Sequence, residues 1–169
     1  MGPSGCGKSA LARALAAQCD WRFIEGDDHH LPRNIAKMAQ GTPLNDEDRQ
    51  PFFDSIGPAI QDGALPAAVS CSALRRAHRD QLRRNAPDIL FVWIDVPPQE
   101  LWRRVQDRAD HFMPVSLLRD QLATLEPPTP PERFVKIDGM LLPADQLEDV
   151  LHHLRSFRRN PQAAPRRSA

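Results

Sequence analysis

The sequence lacks the features that would place it outside the cell, in a membrane or on nucleic acid. Its three cysteines, Cys6, Cys19 and Cys71, are not paired by spacing. That argues against a disulfide framework and for a reducing compartment, so a cytoplasmic location is expected. No apolar run approaches the ~20 residues of a membrane-spanning helix, and no signal-peptide pattern is present. Basic and acidic residues balance at 22 each. The balance is uneven, because residues 155–169 hold five arginines and no acid, which leaves the rest acidic. A nucleic-acid binder carries a basic face, so neither nucleic acid nor a membrane is an expected partner. Residues 156–169 read as a solvated, disordered tail. No repeat with a period of 20–50 residues occurs. A chain of 169 residues suits a single domain, placed at 1–155.

What is present is concentrated at the start. Gly2-Pro3-Ser4-Gly5-Cys6-Gly7-Lys8-Ser9 matches the P-loop pattern G-x-x-x-x-G-K-[ST]. Glycines permit the tight turn that converges backbone N–H groups on phosphate oxygens. The helix that follows adds its positive N-terminal dipole. Lys8 would reach the β- and γ-phosphates, and the Ser9 hydroxyl would hold Mg²⁺. ATP and Mg²⁺ are therefore the expected cofactors. A P-loop normally follows a buried strand, yet only Met1 precedes this one. The expectation is a sheet interrupted at its centre, and poor stability or activity for the chain as written.

Beyond the loop, strands and helices alternate. Helices are expected near 8–19, 32–40, 45–61, 75–85, 97–108 and 116–125. Strands are expected at 21–25, 67–71, 89–96 and 134–138. Leu147, Val150, Leu151 and Leu154 form a helical stripe facing the core. This order indicates a three-layer α/β/α fold with a parallel sheet, and ligands at the strand carboxyl ends. Those ends are Gly26-Asp27-Asp28, Ser70-Cys71-Ser72-Ala73 and Asp95-Val96.

Asp27 stands at a strand end beside the P-loop, placed to orient or deprotonate an acceptor hydroxyl. A turn aspartate bonding its own backbone is the alternative. His29 and His30 lack further ligands at metal spacing, so a polar substrate loop is the better reading. Arg33, Lys37, Arg49 and Arg79 lie near strand ends, where any of them could clamp an anionic acceptor. Singly, each is also an ordinary surface charge. Arg104 and Arg108 share a helix face four residues apart. The helix–loop–helix spanning about 103–128 fits a lid that closes on ATP with positive charge.

These motifs, in order, resemble the gluconokinases among the P-loop small-molecule kinases. The blocks are GPSGCGKS at 2–9, EGDDHHLPRNIAKMAQGTPLNDEDRQPF at 25–52, SCSALRRAHRD at 70–80, RRVQDRADHF at 103–112 and LATLEPP at 122–128. The second block discriminates against shikimate and adenylate kinases. The resemblance implies transfer of phosphate from ATP to the terminal hydroxyl of D-gluconate, with Mg²⁺, in the cytosol, commonly as a dimer. Mapped onto this chain, Gly2 to Ser9 hold the phosphates and metal, with Lys8 catalytic. Asp27 becomes the acceptor-side carboxylate. His30, Arg33, Lys37, Arg49 and Arg79 contribute to the gluconate pocket. Arg104, Arg108 and His111 belong to the lid, with Arg108 catalytic and His111 on the acceptor. This chain departs from the pattern at Cys6, at His30-Leu31, where the family has His-Pro, and at His78, where an aromatic is usual. A kinase for another small anionic acceptor, or a nucleotide-dependent binding module without turnover, are the other readings.

Overall fold

The computed structural model describes residues 1–63, 65–107 and 116–159. Among the described residues four strands form, β1 (Arg22–Glu25), β2 (Ala67–Ser70), β3 (Phe91–Asp95) and β4 (Phe134–Asp138). Seven helices accompany them among these residues: α1 (Lys8–Cys19), α2 (Pro32–Ala39), α3 (Asp46–Gln61), α4 (Arg76–Asn85), α5 (Pro98–Gln106), α6 (Ser116–Thr124) and α7 (Pro143–Arg159). A 3₁₀ turn, Gly26–His29, follows β1. The alternation and the parallel pairing expected from the sequence are both present.

The strands pair as β1 with β2 and β3 with β4, each in parallel. Met1 and Gly2 stand between the two pairs. The Met1 amino group donates to the Val92 carbonyl. The Ile94 N–H donates to Met1 O at 3.1 Å, and the Gly2 N–H donates to Ser72 O at 3.1 Å. Met1 thus sits opposite Trp93 in parallel register. Beyond it the inner edges of β2 and β3 face an apolar cavity of about 300 Å³, lined by Leu11, Leu15, Ala68, Val69, Phe91 and Val92. Burial lowers the pKa of the Met1 amino group to about 6. The interrupted sheet read from the sequence takes this form.

Packing follows the apolar periodicity. Leu11, Leu15 and Ala16 of α1 bury against Ala68, Ile94, Val135 and Ile137 of the strands. Val150 of α7 is fully buried in the same cluster, with Leu147, Leu151 and Leu154 packed around it. Helix α7 continues to Arg159, and Phe157 packs on the core. Residues 156–159 are helical because the apolar stripe repeats once more at Phe157. The rest of the tail lies outside the described residues. Asn45 caps α3 in a capping box with Asp48, bonding its N–H at 2.8 Å and receiving the return bond at 2.9 Å. Among the described residues, no helix is long and apolar enough to cross a membrane.

Candidate active site

The P-loop turns into α1 through glycines in the left-handed region. Gly5 has φ 83° and Gly7 has φ 99°. Gly5 is also held close: a Cβ there would stand 2.9 Å from Cγ2 of Val105 on α5. Cys6 turns its side chain into the core and is 1% exposed, so only its backbone serves the loop. Lys8 Nζ donates to Pro3 O at 2.9 Å. Ser9 Oγ lies 3.0 Å from Ser70 Oγ at the end of β2. The Ser4 N–H donates to Oε1 of Gln121 on α6 at 2.7 Å.

These groups open onto a cavity of about 90 Å³ at the carboxyl ends of the strands. Asp27 lines it together with Lys8 and Ser9. Gly26 makes that placement possible. A Cβ on Gly26 would stand 2.1 Å from the Ser70 carbonyl oxygen, so the 3₁₀ turn can lie on β2 only without a side chain there. His30 lines the same cavity and stacks on Phe52, with ring centroids 4.4 Å apart. Burial lowers its pKa, and the neighbouring Asp27 opposes the shift. Arg49 enters from α3, braced by bonds to Leu44 O from Nε at 3.3 Å and Nη2 at 3.0 Å. Burial lowers its pKa too, with Asp120 of α6 opposing.

The structure thus collects Ser4, Gly5, Gly7, Lys8, Ser9, Asp27, His30 and Arg49 around one cavity. Other candidates go elsewhere. Arg79 is 1% exposed and is not in the cavity. Its Nε and Nη2 bond Glu132 at 2.6 and 3.1 Å, and Nη1 donates to the carbonyls of Ala73, Leu74 and Glu126. In this structure Arg79 is a buried brace that bonds protein oxygens through Nε, Nη1 and Nη2. It ties the loop after β2, where Ala73 has φ 42°, to the segment before β4. Burial opposes the charge on Glu132, but bonds from Arg79 and the Thr129 N–H win and lower its pKa.

Lys37 pairs with Asp48 at 2.5 Å and so secures α2 to the first turn of α3. Arg33 is exposed on α2. Neither lines the cavity. Arg104 bonds Glu100 Oε1 at 2.7 Å and Gly139 O at 3.0 Å, on the far side of the P-loop. Beside it Met140, Leu141 and Leu142 are exposed, an apolar ledge the sequence reading passed over. Arg108 and His111 lie outside the described residues. Asp120 and Gln121 also line the cavity and were missed, although the block 122–128 begins one residue later. Among the described residues, no group of three or more His, Cys, Asp or Glu could hold a metal ion. The oxygen donors present fit a hard cation held mainly by phosphates, as Mg²⁺ commonly is.

Comparison with known proteins finds relatives that match most of the chain. A family model described as an AAA domain matches residues 1–128. A gluconokinase of Gluconobacter oxydans (strain 621H) is 42% identical over 160 residues, covering 92% of this chain and 89% of that one. The thermosensitive gluconokinase of Escherichia coli (strain K12) is 41% identical over 142 residues, covering 82% and 76%. The crystal structure of a gluconokinase from Sinorhizobium meliloti 1021 superposes with a TM-score of 0.86 at 43% identity, covering 95% of this chain and 91% of that one. An unliganded sugar kinase from Janibacter sp. HTCC2649 gives a TM-score of 0.86 at 40% identity, covering 92% and 91%.

Proposed function

The chain belongs to the gluconokinase family, and from that premise we propose how its cavity phosphorylates D-gluconate with ATP to give 6-phospho-D-gluconate. One observation carries the reading: a P-loop with its lysine shares a single cavity with a carboxylate, an imidazole and a half-buried arginine. Gluconate is an anion with a row of hydroxyls. Arg49 suits its carboxylate, and His30 suits its hydroxyls. Asp27 orients the terminal hydroxyl and accepts its proton as that oxygen attacks the γ-phosphorus and the bond to the ADP oxygen breaks. Lys8 and the loop N–H groups hold the phosphate oxygens on which charge moves during transfer. The Ser9 hydroxyl would hold Mg²⁺, which when bound neutralises phosphate charge. Arg104 and the exposed Met140–Leu142 ledge beside it offer a surface for the nucleotide base. The same reading takes the protein to be a cytoplasmic homodimer, which sedimentation equilibrium checks.

The test is ADP release with MgATP, with and without gluconate, beside a panel of other sugar acids and shikimate. Release that needs gluconate supports the reading. Release stimulated best by another acid moves the assignment to that acceptor. Nucleotide binding with no acceptor-stimulated release defeats the enzyme reading.

A further inference from the structure

Gln121 is the polar contact in the cavity that the reaction scheme above leaves without a task. It reaches the P-loop from α6, 117 residues away in sequence, and its Oε1 accepts the Ser4 N–H at 2.7 Å. Ser4 is 8% exposed, so this N–H is a nearly buried donor of the phosphate cradle. Loop N–H groups of this kind bind anionic oxygens. In the structure a side-chain oxygen stands where a phosphate oxygen is expected. The neighbouring cradle cation is held in the same way, with Lys8 Nζ on the Pro3 carbonyl at 2.9 Å.

The neighbours of Gln121 decide which phosphate is concerned. Lys8 suits the β- and γ-phosphates and Ser9 the metal. Ser4 lines the same cavity as Leu117, Asp120 and Gln121 of α6, with Asp27 and Arg49. Asp120, next to Gln121, acts on Arg49, which the reading above gives to the acceptor, so the phosphate beside Ser4 is taken as the outermost one. A carboxamide is suited to this place, because it offers an acceptor oxygen on one side and two donors on the other. When a phosphate oxygen takes the Ser4 N–H, a turn of the amide group presents N–H to that same oxygen. A carboxylate could not make that exchange.

We propose that Gln121 positions the transferred phosphate: it occupies the outermost phosphate site of the free cradle and donates to the third phosphate of bound nucleotide. The inference rests on the phosphoryl-transfer reading above. It predicts that Gln121 discriminates between triphosphate and diphosphate, which a purely structural contact would not do.

The experiment is calorimetric titration of the full chain with AMP-PNP and with ADP, both with Mg²⁺, for wild type, Gln121→Glu and Gln121→Leu, with melting curves alongside. Gln121→Glu should weaken AMP-PNP about tenfold or more through like-charge repulsion, and leave ADP within about twofold. Gln121→Leu should lower kcat about 10- to 100-fold with the ADP affinity unchanged, the loss of a hydrogen bond to a charged group. Equal loss for both nucleotides, or no change for either, overturns the proposal while the kinase reading stands. Wild type that binds neither nucleotide overturns both.

Discussion

Two cavities of this protein share Lys8 in their linings and differ in kind. The larger, about 300 Å³ between β2 and β3, is walled by aliphatic and aromatic side chains. The smaller, about 90 Å³ at the strand ends, holds the charged and hydrogen-bonding groups. Lys8 lines both. Size therefore does not mark the site. Chemistry needs groups that can hold and move charge, and these converge only on the smaller space. The larger space is a packing feature of an interrupted sheet, and changes there should act on stability alone.

The largest expected effect tests the polar side of that contrast. Lys8→Met removes the cation of the cradle and keeps the length of the side chain. Gluconate-dependent ADP release should fall about a thousandfold or more, the scale of losing a charge that stabilises the transferring phosphate. The melting temperature should move little, because Lys8 makes one carbonyl bond and no ion pair among the described residues. A large drop in melting temperature with retained turnover would reverse the roles given to the two cavities.

The second prediction concerns a charge that belongs to neither cavity. Glu132→Gln leaves the Arg79 guanidinium buried without its counter-charge, at a cost of about 3–5 kcal/mol in urea unfolding. At temperatures where the variant stays folded, KM for gluconate should remain within about twofold, since Arg79 does not line the smaller cavity. A rise in KM well beyond that, with stability unchanged, would return Arg79 to the substrate pocket.

The contrast between Arg79 and Arg49 also shows how far the sequence could be read. The element order and most boundaries were legible because apolar period, capping residues and proline stops are local signals. The P-loop was legible because its spacing is the mechanism. Asp27 followed from the strand-end rule. The fates of the charged residues were not legible, because their partners are distant. Arg79 finds Glu132 53 residues later, and Lys37 finds Asp48 11 residues later. Gln121 carries no local signal, since its partner is 117 residues upstream. The need for glycine at 26 is likewise tertiary, set by the Ser70 carbonyl 2.1 Å from its absent Cβ.

A third prediction uses acid. His78 occupies a place where an aromatic was expected, and it packs on Phe53 with centroids 4.9 Å apart. Burial, helped by Arg49 and Arg75, lowers its pKa to about 4. The unfolded chain binds this proton near the ordinary value of about 6.5. Between those values the unfolded state holds more protons, so stability rises with pH from about 4 to 6.5 and is flat above. The contribution is at most about 3 kcal/mol. His78→Phe should keep the ring packing and remove that slope in urea midpoints measured across pH 4–7. An unchanged slope would place the acid sensitivity on other groups.

The smallest effect probes the apolar cavity directly. Ala68 sits on β2, 5% exposed, between β1 and the open space, in contact with the main core cluster. Ala68→Val adds two methyl carbons and a β-branched residue that suits a strand. If the larger cavity is only unfilled space, the variant should gain about 0.5–2 kcal/mol in unfolding free energy, the usual return from filling a cavity. Turnover and KM for gluconate should not change, because Ala68 does not line the smaller cavity. Loss of stability would mean that β2 cannot accept the added branch without shifting Phe23, its partner in register on β1. Altered kinetics with unchanged stability would be the more telling result, since it would show that the two cavities communicate through Lys8.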